Sequence, residues 1–134
     1  MNGNGRNRQF AAVVLSGDRS SSDPLVAASG RGCKALADID GTPMILRVLD
    51  ALGQSATVGA ITICGPSRES IANEPRLERL IAQQRIGWQA PQATPSTSAW
   101  QALAATASDT PVLLTTADHP LLRADIIDHF CREA

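Results

Sequence analysis

Two groups of residues in this chain could handle phosphate. The first lies in residues 13–36, "VVLSGDRSSSDPLVAASGRGCKAL", where Gly17 follows an apolar run, Gly30 and Gly32 bracket Arg31, and Arg19, Arg31 and Lys34 supply positive charge. Glycines let backbone N–H groups approach an anion closely and cations neutralise it, so the pattern suits a phosphate cradle. It suits a solvated surface loop equally well: loops longer than roughly 12–15 residues are either functional or disordered. The second group centres on Asp118 in "TADHPLL", residues 116–122. A carboxylate just past a strand can hold Mg²⁺, which takes one or two carboxylates plus substrate phosphates. An aspartate opening a turn before His119-Pro120 is the plainer reading.

The remaining reactive side chains form no catalytic pattern. Asp38 and Asp40 flank a turn at Gly41, and Asp38-Ile39-Asp40, though of D-x-D form, lies ahead of the first helix. His119 reads as a turn residue, and His129 as an exposed or capping residue of the last helix. A Walker A loop needs Gly before the lysine and Ser or Thr after it, whereas Cys33 and Ala35 flank Lys34. A dinucleotide fingerprint starting at Gly30 fails at Ala35 and has no strand before it. Cys33, Cys64 and Cys131 are odd in number and widely spaced, which suits reduced thiols of a cytoplasmic protein better than zinc or disulfides.

Composition narrows the partners. Twelve basic residues against thirteen acidic ones give a net charge of −1, which argues against a broad nucleic-acid surface. With two Trp, two Phe and no Tyr, stacking platforms for single strands are not expected. No segment has the length and apolarity of a membrane span or signal peptide. The 134 residues suit one domain; residues 1–8 read as a loose tail and residues 9–134 as the folded unit.

These residues must be positioned by elements that the hydrophobic pattern marks. Residues 10–15, 60–64, 85–89 and 112–116 read as strands. A helix is expected after "DGTP", with Thr42 as cap, Pro43 at its first position and Gly53 at its end. "SRESIANEPRLERLIAQQ" reads as two helical pieces broken at Pro75, the second buried through Leu77, Leu80 and Ile81. A further helix is expected from about Ser98, with Trp100, Leu103 and Ala104 facing inward, and a last one in "LLRADIIDHFCREA". Alternating strands and helices imply an α/β fold: a Rossmann-like three-layer α/β/α sandwich around a mostly parallel sheet of strand order 3-2-1-4. Ligands bind such sheets beyond the strands' carboxyl ends where the order reverses. That is between strands 1 and 4, so the loop ending at Lys34 and the turn at Asp118 are expected to meet.

The chain resembles the nucleotidyltransferases of the molybdenum-cofactor and sugar-nucleotide type. The resemblance rests on Leu15-Ser16-Gly17, on Arg31-Gly32-Cys33-Lys34-Ala35-Leu36 followed by Ile39-Asp40-Gly41-Thr42-Pro43-Met44-Ile45, and on Ala117-Asp118-His119-Pro120-Leu121-Leu122. A serine-containing loop, residues 94–99, stands between them. The resemblance implies a glycosyltransferase-A-like fold and transfer of a nucleotidyl group from a nucleoside triphosphate to a phosphorylated small-molecule acceptor, with release of pyrophosphate. It implies nucleotide contacts at Leu15, Ser16 and Gly17, phosphate neutralisation by Lys34 with Arg31 or Arg19, close approach at Gly32, Mg²⁺ on Asp118, and Ser96 and Ser98 near the base or ribose. The sequence departs from the family at Asp18, which replaces a second glycine, in a longer loop containing Asp23-Pro24, and in an arginine one residue closer to Lys34. The resemblance also implies more sheet after Ala134, so the chain is expected to be the first part of a longer domain. The alternative is a nucleotide-binding module without transfer activity. An incomplete sheet leaves an edge and a helix face open, from which a homodimer is expected.

Overall fold

The computed structural model describes residues 9–16 and 33–134. Four parallel strands form the central sheet: β1 (Phe10–Leu15), β4 (Val58–Cys64), β5 (Gly87–Gln89) and β6 (Val112–Thr116), in the order β5-β4-β1-β6. Counting only these four strands, that is the expected 3-2-1-4. β1 pairs β4 through Val14↔Ile63 and Leu15↔Cys64, and pairs β6 through Val14↔Thr115 and Leu15↔Thr116. Strand β4 starts two residues earlier than the sequence pattern indicated, and β5 is shorter, with Ile86 buried ahead of it.

A short hairpin, β2 (Asp38–Ile39) and β3 (Thr42–Pro43), precedes the first helix. Asp40 and Gly41 both have positive φ, 51° and 81°, as a two-residue hairpin turn of matching twist requires. This hairpin overturns the expected helix start. Thr42 pairs with Ile39 instead of capping, and helix α1 (Met44–Gln54) begins after Pro43 with no side-chain cap. Gly53 lies within α1, whose last residue is Gln54 with Ser55 as its C-cap.

Helices α2 (Arg68–Ala72) and α3 (Pro75–Ala82) form the broken pair. Pro75 opens α3, where a missing N–H costs nothing. The buried Glu74 carboxylate accepts from the Arg76 amide and from Arg76 Nε at 2.9 Å. Leu77 is fully buried, while Leu80 and Ile81 pack at the core's margin.

The main core lies on one face of the sheet, where Val14, Ile63 and Leu113 meet Ile45, Val48 and Leu52 of α1, Ile71, Leu77, and Ile127 and Cys131 of α5 (Ala124–Glu133). The other face carries one helix, α4 (Pro95–Ala104), on Val13 and Cys64. This makes three layers, one of them thin.

Helix α4 differs most from expectation. It starts at Pro95, three residues early, because Thr94 caps it by accepting from the Thr97 amide at 3.1 Å. Its buried face is Ser98, Ala99 and Ala102, so Trp100, Leu103 and Ala104 point outward. Small residues let the helix lie close to the strands, and a tryptophan there would hold it away. Among the described residues no helix is long and apolar enough to cross a membrane.

Candidate functional site at the carboxyl ends of β1 and β6

Strand β1 ends at Leu15 and β6 at Thr116, and these two residues are register partners. The Ala117 amide continues the ladder by donating to the Leu15 carbonyl at 3.0 Å. Asp118 therefore emerges at the mouth of the sheet beside the end of β1. A turn of 3₁₀ helix, Lys34–Leu36, brings the chain back to the same place, anchored by the buried Cys33, Ala35 and Leu36. Lys34 Nζ reaches Asp118 Oδ2 at 3.3 Å across 84 residues of sequence. Lys34 and Asp118 thus meet at the switch point.

Both side chains of the pair keep about two-fifths of their surface in water. Such pairs contribute only about 0–1 kcal/mol to stability, and water-exposed partners exchange readily with a ligand. Thr116, two residues before Asp118, donates its hydroxyl to Asp118 Oδ1. That hydrogen bond, followed by the one from Lys34 and by its charge, holds the Asp118 carboxyl below the ordinary carboxylate range. His119 Nε2 lies 3.9 Å from the same oxygen. The result is an ionised carboxylate, oriented on one side and open on the other.

Ser16 faces inward. Its amide donates to the Cys64 carbonyl at 3.0 Å, and its buried hydroxyl donates to the Gly65 carbonyl at 2.6 Å. These bonds lock the ends of β1 and β4, so neither donor of Ser16 points into the mouth. Gly65 holds φ at 86°, in the left-handed region, and its amide donates to the Gln89 carbonyl at 2.9 Å. Ser98 is likewise buried, its hydroxyl accepting from the Gln92 amide at 2.9 Å, which shapes the loop between β5 and α4. Ser96 is exposed in the first turn of α4. Gly17, Arg19, Arg31 and Gly32 lie outside the described residues.

Two further groups escape a reading of the sequence. Thr116 orients Asp118, and the i, i+2 spacing at a strand end is the signal that could have revealed it. Gln89 ends β5, and its side-chain Nε2 is buried without a hydrogen-bond partner. No sequence signal separates it from an ordinary strand glutamine. Among the described residues no group of three or more His, Cys, Asp or Glu side chains could hold a metal by itself.

The sequence pattern of the MobA-like NTP transferase domain matches residues 12–134. No curated protein matches the chain. Solved structures do. A hypothetical transferase from Thermus thermophilus superposes with a TM-score of 0.69 at 22% identity, over 94% of this chain and 47% of its own. A 4-diphosphocytidyl-2C-methyl-D-erythritol synthase from Anaerococcus prevotii superposes at 0.69 and 11% identity, over 96% and 51%. CMP:2-keto-3-deoxy-manno-octonic acid synthetase in complex with CTP does so at 0.64 and 17%, over 93% and 46%. At these identities the likeness concerns the fold. The chain spans about half the length of the structures it matches.

Proposed function

From the premise that the chain belongs to the MobA-like NTP transferase family, we propose that it binds a nucleoside triphosphate at the carboxyl ends of β1 and β6. It then passes the nucleotidyl group to a phosphorylated small-molecule acceptor. The observation that carries this reading is the Lys34–Asp118 pair: a cation and an ionised carboxylate, half in water, at the switch point of a parallel sheet. An acceptor phosphate oxygen attacks the α-phosphorus and forms the new P–O bond. The bond from that phosphorus to the bridging oxygen breaks, and pyrophosphate leaves with the electron pair. Such chemistry needs mainly positioning and charge neutralisation.

In this reading Lys34 turns from Asp118 to the phosphates and neutralises them, with Arg31 or Arg19 as a second cation. A magnesium ion fits the residues present, since it needs only one or two protein carboxylates beside the phosphates and Asp118 is held ionised. Bound there, magnesium would supply charge neutralisation at the phosphate oxygens. Thr116 keeps Asp118 oriented. Backbone groups near Leu15 and Gly17 border the nucleotide, with Gly32 allowing close approach. Ser96, exposed in the first turn of α4, borders the base or ribose in this reading, while Ser16 and Ser98 act through the backbone they hold. Residues 9–134 act as one unit in a cytoplasmic protein, with no nucleic-acid or membrane partner.

The test is pyrophosphate release with Mg²⁺, a panel of nucleoside triphosphates and sugar or cofactor phosphates. Loss of activity in Lys34→Ala and Asp118→Ala supports the reading; unchanged activity in both removes these residues from it. The half-length match to solved structures favours a second reading, in which these residues bind nucleotide and transfer needs further polypeptide. A thermal shift without pyrophosphate release would select that reading: ligand at 100 times its Kd adds about 2.7 kcal/mol.

A further inference from the structure

Arg47 is an odd residue for its place. It is the fourth residue of α1, near the positive end of the helix dipole, where acidic side chains are favoured and basic ones cost stability. Among the described residues no carboxylate pairs with it. Its guanidinium instead reaches back to the hairpin: Nε donates to the Ile39 carbonyl at 3.1 Å, and Nη2 donates to the same oxygen. The planar fork delivers both N–H groups from one fixed direction, which a lysine ammonium does not.

The hairpin needs such a tie. Each of its strands has two residues, and the register sets Asp38 opposite Pro43 and Ile39 opposite Thr42. Pro43 has no N–H to give to the ladder, and a lone two-stranded hairpin is marginal in water. Two bonds from α1 flank the strand Asp38–Ile39. The Arg47 fork holds its far end, and at its near end the Met44 amide donates to the Ala37 carbonyl at 3.0 Å. Ala37 in turn donates its amide to the Lys34 carbonyl at 3.0 Å. A continuous path of backbone and hydrogen bonds thus runs from Arg47 through Ile39 and Ala37 to the lysine that meets Asp118. Its base is firm, because α1 is seated in the core through Ile45, Val48 and Leu52.

We propose that Arg47 is a positioning residue for the phosphate site: from α1 it fixes the hairpin, and the hairpin fixes the backbone from which Lys34 reaches the phosphates. This rests on the nucleotide reading above and extends it to a residue that acts through another. The physical reason lies in the lysine. Its ammonium is a point charge on a flexible four-carbon stem, so its hold on a phosphate depends on how well its own backbone is supported. With the hairpin loosened, ordering of that segment on binding costs affinity.

The test is a double-mutant cycle on Kd, measured by titration calorimetry with Mg²⁺ and the tightest binder among ATP, GTP, CTP and UTP. Arg47→Ala should weaken binding on the order of tenfold, the scale of one charge-assisted hydrogen bond. In a Lys34→Ala background the same substitution should change Kd by less than about twofold, because its effect passes through Lys34. Arg47→Lys can return one N–H to the Ile39 carbonyl and should recover part of the loss; it also carries the cycle if Arg47→Ala fails to fold. Amide exchange gives a readout without ligand: the Ala37 and Met44 amides should exchange about tenfold faster in Arg47→Ala, relative to the amides of β1. Equal losses of affinity in both backgrounds would overturn the proposal, since Arg47 would then act on the ligand or on the whole fold. So would unchanged exchange at Ala37 and Met44. A parent chain that binds none of the four nucleotides would sink the nucleotide reading itself, and the exchange result would still decide whether Arg47 holds the Lys34 backbone.

Discussion

Asp118 and Asp128 are aspartates with lowered pKa values at opposite ends of the same sheet, and they differ in every other respect. Asp128, on α5, accepts from the Ser55 hydroxyl, from the Ala56 and Thr57 amides and from the Thr57 hydroxyl, all in the turn that enters β4. The Ser55 hydroxyl comes first among the causes, the Thr57 hydroxyl second, and together with the two amides they bring the carboxyl down to about 2. Among the described residues no cation takes part. Asp118 accepts from one neutral hydroxyl and from one exchangeable ammonium, and the rest of its surface meets water. A carboxylate saturated by a single turn is a clamp, since a ligand would have to displace four donors. A carboxylate oriented from one side and loosely paired on the other is a site. A lowered pKa therefore does not by itself tell function from architecture; the identity and exchangeability of the donors do.

The largest expected effect that could break this contrast is at Asp118. Asp118→Asn should lower pyrophosphate release on the order of 10²–10³-fold, the scale of losing one preorganised electrostatic group. The melting temperature should stay close to that of the parent, because the exposed pair is worth at most about 1 kcal/mol. A large drop in melting temperature with activity retained would reverse the roles given to the two aspartates.

Asp128→Asn should do the opposite: a lower melting temperature, with the nucleotide-induced thermal shift unchanged. Acid titration sharpens the point. The folded pKa of Asp128, about 2, lies below the ordinary value of about 3.9. Its contribution is therefore fully present above pH 4 and is lost as pH falls toward 2. The stability gap between the parent and Asp128→Asn should close across that window. A gap independent of pH there would mean that packing, not ionisation, holds α5.

Thr116→Val is the smallest expected effect. It keeps the side chain's shape and removes the first cause of the lowered Asp118 pKa. The acid limb of the pH–activity profile should move to higher pH, with activity at neutral pH within a few-fold of the parent. An unmoved limb would assign the limb to another group.

Much of the fold was legible in the sequence because it rests on local signals. Apolar runs ended by Gly, Pro and Asp marked the strands, and their alternation with helices led to the parallel sheet and its order. The strand order placed the segments after β1 and β6 at one switch point, and Lys34 and Asp118 do meet there. The errors came where a local signal had two uses. Thr-Pro after Asp-Gly opens helices and also closes hairpins, and the pairing of Thr42 with Ile39 decided between them. In α4 size misleads: the small residues Ser98, Ala99 and Ala102 carry the contact and Trp100 lies outside.

Order, periodicity and turn chemistry are properties of neighbouring residues, so the sequence alone determined which elements form, the direction of the sheet and the loops at its mouth. Contacts between distant residues depend on how closely the packed layers approach. Only the tertiary structure decided that Lys34 reaches Asp118 across 84 residues, and that the hydroxyls of Ser16 and Ser98 turn inward to backbone groups instead of facing a ligand. It also decided that Trp100 and Leu103 of α4 and Ile126 and Phe130 of α5 stay exposed, because the small buried face of α4 and the tethering of α5 by Asp128 set which way their outer faces turn.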